Sequence, residues 1–235
     1  MQKDSAFSQS KDAQLQAICE FNFFPNRYLH ESWFKIMQHG DLISKLCRCS
    51  RVESRISRYL LNYFGLREQP WCDFSEPLWR MSLWQSSEIR RLILYIGLII
   101  HCRSVQRVIE KQTIQLLRDG LGEDGYQFAL TRASFFAPAD MQLETSHLVE
   151  KHLVKQIHLS GVRWLGAAFS VHPVPLNRRL MLKLPHRWSG SFTHPSGGAT
   201  SAGLLIEKLI TELEWIKPGH EKPDSNNIEQ IAPRA

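Results

Sequence analysis

Apolar residues recur at helical spacing along most of this chain. Between Asp41 and Phe64 the positions Leu42, Leu46, Cys49, Ile56, Leu60 and Tyr63 share one face at about 100° per residue, which predicts a single helix stopped by Gly65. Residues 66–78 hold Pro70 and Pro77 and read as a connection. Glu88 to Ile109 has too many apolar residues for a surface helix and is expected at the centre of the core. Gly97 inside it costs about 1 kcal/mol relative to alanine, which points to close helix packing or a bend, with packing the favoured reading. Shorter helices are expected over Gln112–Arg118 and Tyr126–Phe136, separated by the "DGLGEDG" break and closed by Pro138. Ser146 is placed as the cap of a long helix to Ser170, with Leu148, Val149, Leu153, Ile157, Trp164, Leu165 and Ala168 inward and His172-Pro173 as its end. In "RRLMLKLP" Leu180, Leu182 and Leu184 alternate with Met181 and Lys183, so a short strand or hairpin is expected near residues 178–190. Residues 186–203 read as an exposed loop by composition, and Ala202–Ile216 as the last amphipathic helix.

The pattern therefore predicts a mostly α fold: a flexible segment over residues 1–13, one helical domain over 14–217 and a disordered tail over 218–235. At 235 residues, 43% of them hydrophobic, such a domain can bury a sizeable core without disulfides or metals. Cysteines 19, 47, 49, 72 and 102 are odd in number and irregularly spaced, which fits a reducing compartment. The polar, acid-containing opening does not read as a signal peptide. The longest apolar run, "LILYIGLII" (residues 92–100), would span about 14 Å as a helix, half of a bilayer core, so membrane insertion is not expected.

Charge singles out one feature. On a continuous helix Arg48, Arg51, Arg55 and Arg58 lie within about 80°, opposite the apolar face, with Glu53 as partial relief. This stripe is a candidate docking face for an acidic partner surface. With a net charge of +6 it also supports an alternative, a helical nucleic-acid-binding protein using the basic helix at residues 45–58. Against that alternative, no reading motif is present and the aromatics are not interleaved with the basic residues.

Catalytic constellations are not found. His30-Glu31 begins like a zinc-protease helix, but the second histidine would have to stand at Phe34. Cys47 and Cys49 would diverge by about 200° on a helix, too far apart for one metal ion. No nucleophile elbow surrounds the serines near His194, and the glycine-rich run there lacks the lysine of a phosphate loop. His147, His152 and His158 are spread around their helix, and no cofactor is implied.

Three stretches, in order, resemble one family. "FNFFPNRYLHESW" (21–33) resembles its aromatic opening with proline and Tyr-Leu-His. "YIGLIIHCRSVQRVIEKQTIQLLRDGLGEDGYQFAL" (95–130) resembles its central signature, a glycine within an apolar run followed by histidine and a basic helix. "SGVRWLGAAFSVHPVPLNRRLMLKLP" (160–185) resembles its third, ending in Arg-Leu-x-Leu-x-Leu-Pro. The family is the SctK (YscK-like) accessory proteins of bacterial type III secretion systems. The resemblance implies a helical, non-enzymatic cytoplasmic adaptor of the sorting platform, peripheral to the inner-membrane base. Its implied partners are the cytoplasmic domain of the SctD-like ring protein and the SctQ-like pod protein, and indirectly SctL and the SctN ATPase, with no nucleic acid. The family's marker positions fall on Pro25, Tyr28, Leu29, His30, Gly97, His101, Arg107, Gly161, Arg179, Leu180 and Pro185, as structural or interfacial residues.

Overall fold

The computed structural model describes residues 2–137, 152–193 and 198–216, with side chains from Asp12 to Glu212 within those ranges. Among the described residues every regular element is helical. The helices are α1 (Gln2–Phe23), α2 (Gly40–Leu46), α3 (Glu53–Tyr63), α4 (Pro77–Met81), α5 (Ser86–Gln106) and α6 (Lys111–Leu121). They continue with α7 (Glu123–Thr131), α8 (Ala133–Phe136), α9 (Leu153–Phe169), α10 (Val174–Leu182), α11 (Ser189–Thr193) and α12 (Ala199–Ile216). Short 3-10 turns occupy Pro25–Arg27, Glu31–Ile36, Ser50–Val52 and His186–Trp188.

The core is organised around α5, as its composition predicts. From Leu92 to Cys102 every residue is buried except the half-buried Leu94, so this helix has no solvent face over its middle three turns. Its start is fixed by a capping box between Gln85 and Glu88. Against it runs α9, and glycine sets how closely. A Cβ placed on Gly97 would stand 2.0 Å from the Ile157 carbonyl oxygen, and one on Gly161 would stand 2.0 Å from that of Ile93. These two reciprocal contacts, one turn apart, make the helices antiparallel and bring backbone against backbone. The penalty of a helical glycine is offset here by dispersion contacts that no larger residue would permit. His101 Nε2 lies 2.9 Å from Ser160 Oγ across the same contact. Around this pair α4, α7, α8, α11 and α12 complete one large hydrophobic cluster.

A second, smaller cluster holds Leu29, Trp33, Phe34, Met37, Ile43, Leu60, Leu61 and Leu66. The two meet at α10 and the turn after it, where Leu176, Leu180 and Leu184 belong to the large cluster, Leu182 to the small one, and Met181 packs against both.

Several local expectations are corrected. The strand or hairpin expected near 178–190 is helix α10 followed by a tight turn. Wedged between two clusters, the segment is buried on opposite sides, even at Lys183, and this imitates the alternation of a half-buried strand. The single helix expected over 41–64 is two helices, with Cys49 in extended conformation at φ −99° and ψ 108° between them. Leu42, Cys49 and Tyr63, expected inward, are exposed, while Ile43 and Leu61 are buried. The supposed loop after Pro185 contains α11, whose Phe192 is buried along with Trp188. Pro77 opens α4 instead of ending a connection, being suited to the first helical turn. The helix expected over Tyr126–Phe136 is α7 and α8, broken at Arg132. Ser146, Leu148 and Val149, and the tail over 218–235, lie outside the described residues.

Candidate functional site

The aromatic opening and the Arg-Leu-x-Leu-x-Leu-Pro run, about 150 residues apart in the chain, are stapled together. The His30 amide donates to the Leu182 carbonyl at 2.9 Å, Trp33 Nε1 donates to the Leu184 carbonyl at 2.9 Å, and the His186 amide donates to Ser32 Oγ at 2.8 Å. The Tyr28 hydroxyl donates to the Phe21 carbonyl at 2.9 Å, and burial pushes this phenol well above its ordinary pKa. Pro25, Leu29, Leu180 and Pro185 are all buried in this joint.

Two cations are buried in the same joint with main-chain oxygens as hydrogen-bond acceptors. Arg179 is 1% exposed; its Nη1 donates to the carbonyls of Gln69 (2.8 Å) and Pro175 (3.3 Å), and its Nη2 to that of Leu66 (3.0 Å). Its Nε has no acceptor. Lys183 Nζ donates to the carbonyls of Ser82 (2.7 Å) and Trp84 (2.8 Å) and lies over the rings of Phe21 and Tyr28. Burial lowers the Lys183 pKa to about 7, with Glu88 and Glu20 opposing the shift. A neutral amine has two N–H groups, and two carbonyls receive them. These side chains tie the 66–69 turn and the end of α4 to α10 as a structural lock.

Beside the joint opens a groove of about 1180 Å³. One wall is the turn carrying His30, Ser32, Lys35 and Ile36; the others are Arg90 on α5, Val154, Lys155, His158 and Leu159 on α9, and the segment from Pro185 to Ser191. Lys35, Arg90, Lys155 and Arg187 are exposed at its rim. No aspartate or glutamate lines it, and none of these four cations is ion-paired within the described residues. Its three histidines are held in place. His30 Nδ1 accepts from the Ser32 amide and lies 2.9 Å from Ser32 Oγ; His158 Nδ1 lies 2.9 Å from the Val154 carbonyl; the His186 ring packs edge-on to Trp33 at 4.7 Å. Burial depresses the His30 pKa, Arg90 and Arg187 add to this, and Glu31 opposes it.

Of the marker positions read from the sequence, Pro25, Tyr28, Leu29, His30, Arg179, Leu180 and Pro185 meet at the α10 joint. Gly97, Gly161 and His101 meet where α5 crosses α9. Arg107 is exposed at the C-cap of α5, in neither group. The arginine stripe loses its geometry: Arg48 lies in the break after α2, Arg51 in a 3-10 turn, and only Arg55 and Arg58 share α3. All four are exposed, but no continuous helix aligns them. Glu53 does not relieve them either, since Arg27 Nε and Nη2 grip both its oxygens at 2.7 and 3.1 Å. The basic helix at 45–58 on which the nucleic-acid alternative rested is thereby interrupted. The groove's cations escaped sequence reading because they come from four separate segments with no common period.

Among the described residues no group of three or more His, Cys, Asp or Glu could hold a metal ion, and no helix is long and apolar enough to cross a membrane. No solved structure matches the chain. Nodulation protein NolU from Rhizobium fredii is 25% identical over 176 residues, which cover 75% of this chain and 77% of that protein. NolU from Sinorhizobium fredii (strain NBRC 101917 / NGR234) matches with the same identity and coverage. The family described as YOP proteins translocation protein K (YscK) matches residues 16–207, a span that takes in the smaller hydrophobic cluster, the α10 joint and all of the larger cluster except Leu209 and Ile210. The chain thus belongs to the YscK family and is a type III secretion-associated protein.

Proposed function

We propose that this protein is a non-enzymatic cytoplasmic adaptor of the type III secretion sorting platform. In this reading it joins the cytoplasmic domain of the SctD-like ring protein to the SctQ-like pod protein, and through the latter reaches SctL and the SctN ATPase. Attachment to the membrane base then comes through the ring protein. The observation that supports it most is the family match over residues 16–207. The architecture agrees with such a role: buried clusters fastened by close glycine contacts and by buried cations bonded to main-chain carbonyls make a stiff body, which holds two partners at a fixed separation better than a flexible one.

The test is binding of the purified full chain to each partner, by calorimetry, with all proteins folded. Pairwise dissociation constants of about micromolar are expected, since platform assemblies gain strength from multivalency. Absence of binding to both partners at tens of micromolar would overturn the adaptor reading.

A further inference from the structure

The groove beside the α10 joint carries charge of one sign. The chain carries 29 Lys and Arg against 23 Asp and Glu, yet the groove lining has four permanent cations and no carboxylate. Cations of one sign gathered at a groove repel one another in the free protein, and an anionic occupant relieves that repulsion. The floor is different in kind. Ile36 is 48% exposed, Val154 and Leu159 are half-buried, and the Trp188 ring lies tilted by 30° to that of His158 at 6.1 Å between ring centres. A volume of about 1180 Å³ exceeds the roughly 300–1,000 Å³ usual for small-molecule pockets and suits a stretch of polypeptide.

We propose that the groove rimmed by Lys35, Arg90, Lys155 and Arg187 docks an acidic segment of a partner protein, its carboxylates meeting the four cations while its apolar side chains cover Ile36 and Leu159. Charge complementarity commits the occupant to an anion, and the floor commits it to protein. A nucleic-acid strand would require exposed aromatic faces for its bases, and the groove's one indole, Trp188, is 8% exposed. Arginine at two rim positions can hold carboxylates in paired hydrogen bonds. The histidines, fixed by Ser32, Val154 and Trp33, shape the walls. The identification of the partner as a platform component rests on the adaptor reading; the chemistry of the occupant does not.

The experiment uses the full chain and a variant carrying Lys35→Glu, Arg90→Glu, Lys155→Glu and Arg187→Glu, with a second variant carrying glutamine at the same four positions. All four side chains are exposed, so circular dichroism and melting should match the wild type. The glutamine variant serves if the reversed one fails to fold. A short fluorescent peptide in which glutamates flank leucines is titrated in parallel with the ring-protein domain, the pod protein and a single-stranded DNA oligonucleotide. Expected are saturable peptide binding that weakens with added salt, a loss of about tenfold or more in the reversed variant, and a like loss for one of the two platform proteins. Peptide binding abolished by reversal, with neither platform protein bound by wild type, would sustain the groove and sink the adaptor reading. Partner and peptide binding unchanged by reversal would overturn the groove and leave the adaptor reading standing. Oligonucleotide binding that is lost on reversal, with no peptide binding, would replace this proposal by a nucleic-acid site.

Discussion

Where α5 meets α9, two glycines let the backbones touch, and apolar side chains fill the space on either side. Where α10 meets the N-terminal turns, a guanidinium, an amine, a phenol and an indole are buried, and main-chain carbonyls accept from all of them. The first contact is specified by the absence of side chains, the second by the presence of particular ones. They should therefore fail in different ways. The two glycine–carbonyl contacts are intolerant of added volume and themselves involve no ionisable group. The polar joint tolerates little loss of a donor, and its stability depends on protonation.

The largest effect is expected from Gly161→Leu, which drives a branched side chain into the Ile93 carbonyl. A loss of about 3 kcal/mol or more in chemical denaturation is expected. Gly203→Ala in α12, where a Cβ meets nothing within 4 Å, should instead stabilise by up to about 1 kcal/mol. Equal effects at the two positions would contradict the packing argument. In the polar joint, Arg179→Met strands the carbonyls of Leu66 and Gln69 and should cost about 2 kcal/mol. A neutral result would mean that the hydrogen bonds there merely balance the desolvation of the charge.

Smaller per step, and signed, is the response to pH. The Lys183 pKa is about 7 in the folded protein, against the 10.5 ordinary for a lysine in water, so between these values the unfolded chain binds more protons. Stability from this group therefore rises with pH from about 7 to 10, by at most about 1.4 kcal/mol per pH unit, and is flat below 7. Denaturation midpoints of wild type and Lys183→Met across this range test the sign. The variant should lack the slope, and a slope surviving unchanged would assign it to other groups. The smallest effect is expected from Arg48→Glu, Arg51→Glu, Arg55→Glu and Arg58→Glu together. All four residues are exposed, so stability should move by less than about 0.5 kcal/mol per substitution.

The same contrast explains what was legible in the sequence. A helix buried on all sides, such as α5, announces itself through composition, and Gly97 within it could be read as a packing residue because glycine there is otherwise a net cost. The α10 joint was legible only as a set of marker positions. Its helix mimicked a strand because it is flanked by two clusters, and Lys183 looked like a solvent-facing alternate although it is 4% exposed. The break at Cys49 left no proline or glycine to mark it, so the arginine stripe was drawn on a helix that does not exist. The groove could not be seen at all from local patterns, because Lys35, Arg90, Lys155 and Arg187 converge only once both joints have formed.

Both joints position that groove, and the central claim is that a platform partner docks there. Amide hydrogen exchange of the full chain, with and without saturating ring-protein domain or pod protein, tests this most directly. The account predicts partner-dependent protection of residues 30–36, 154–159 and 185–191, with the amides of α5 slow in both states. Protection confined to residues 41–63, with the groove segments unchanged, would contradict it and return the docking face to Arg48, Arg51, Arg55 and Arg58.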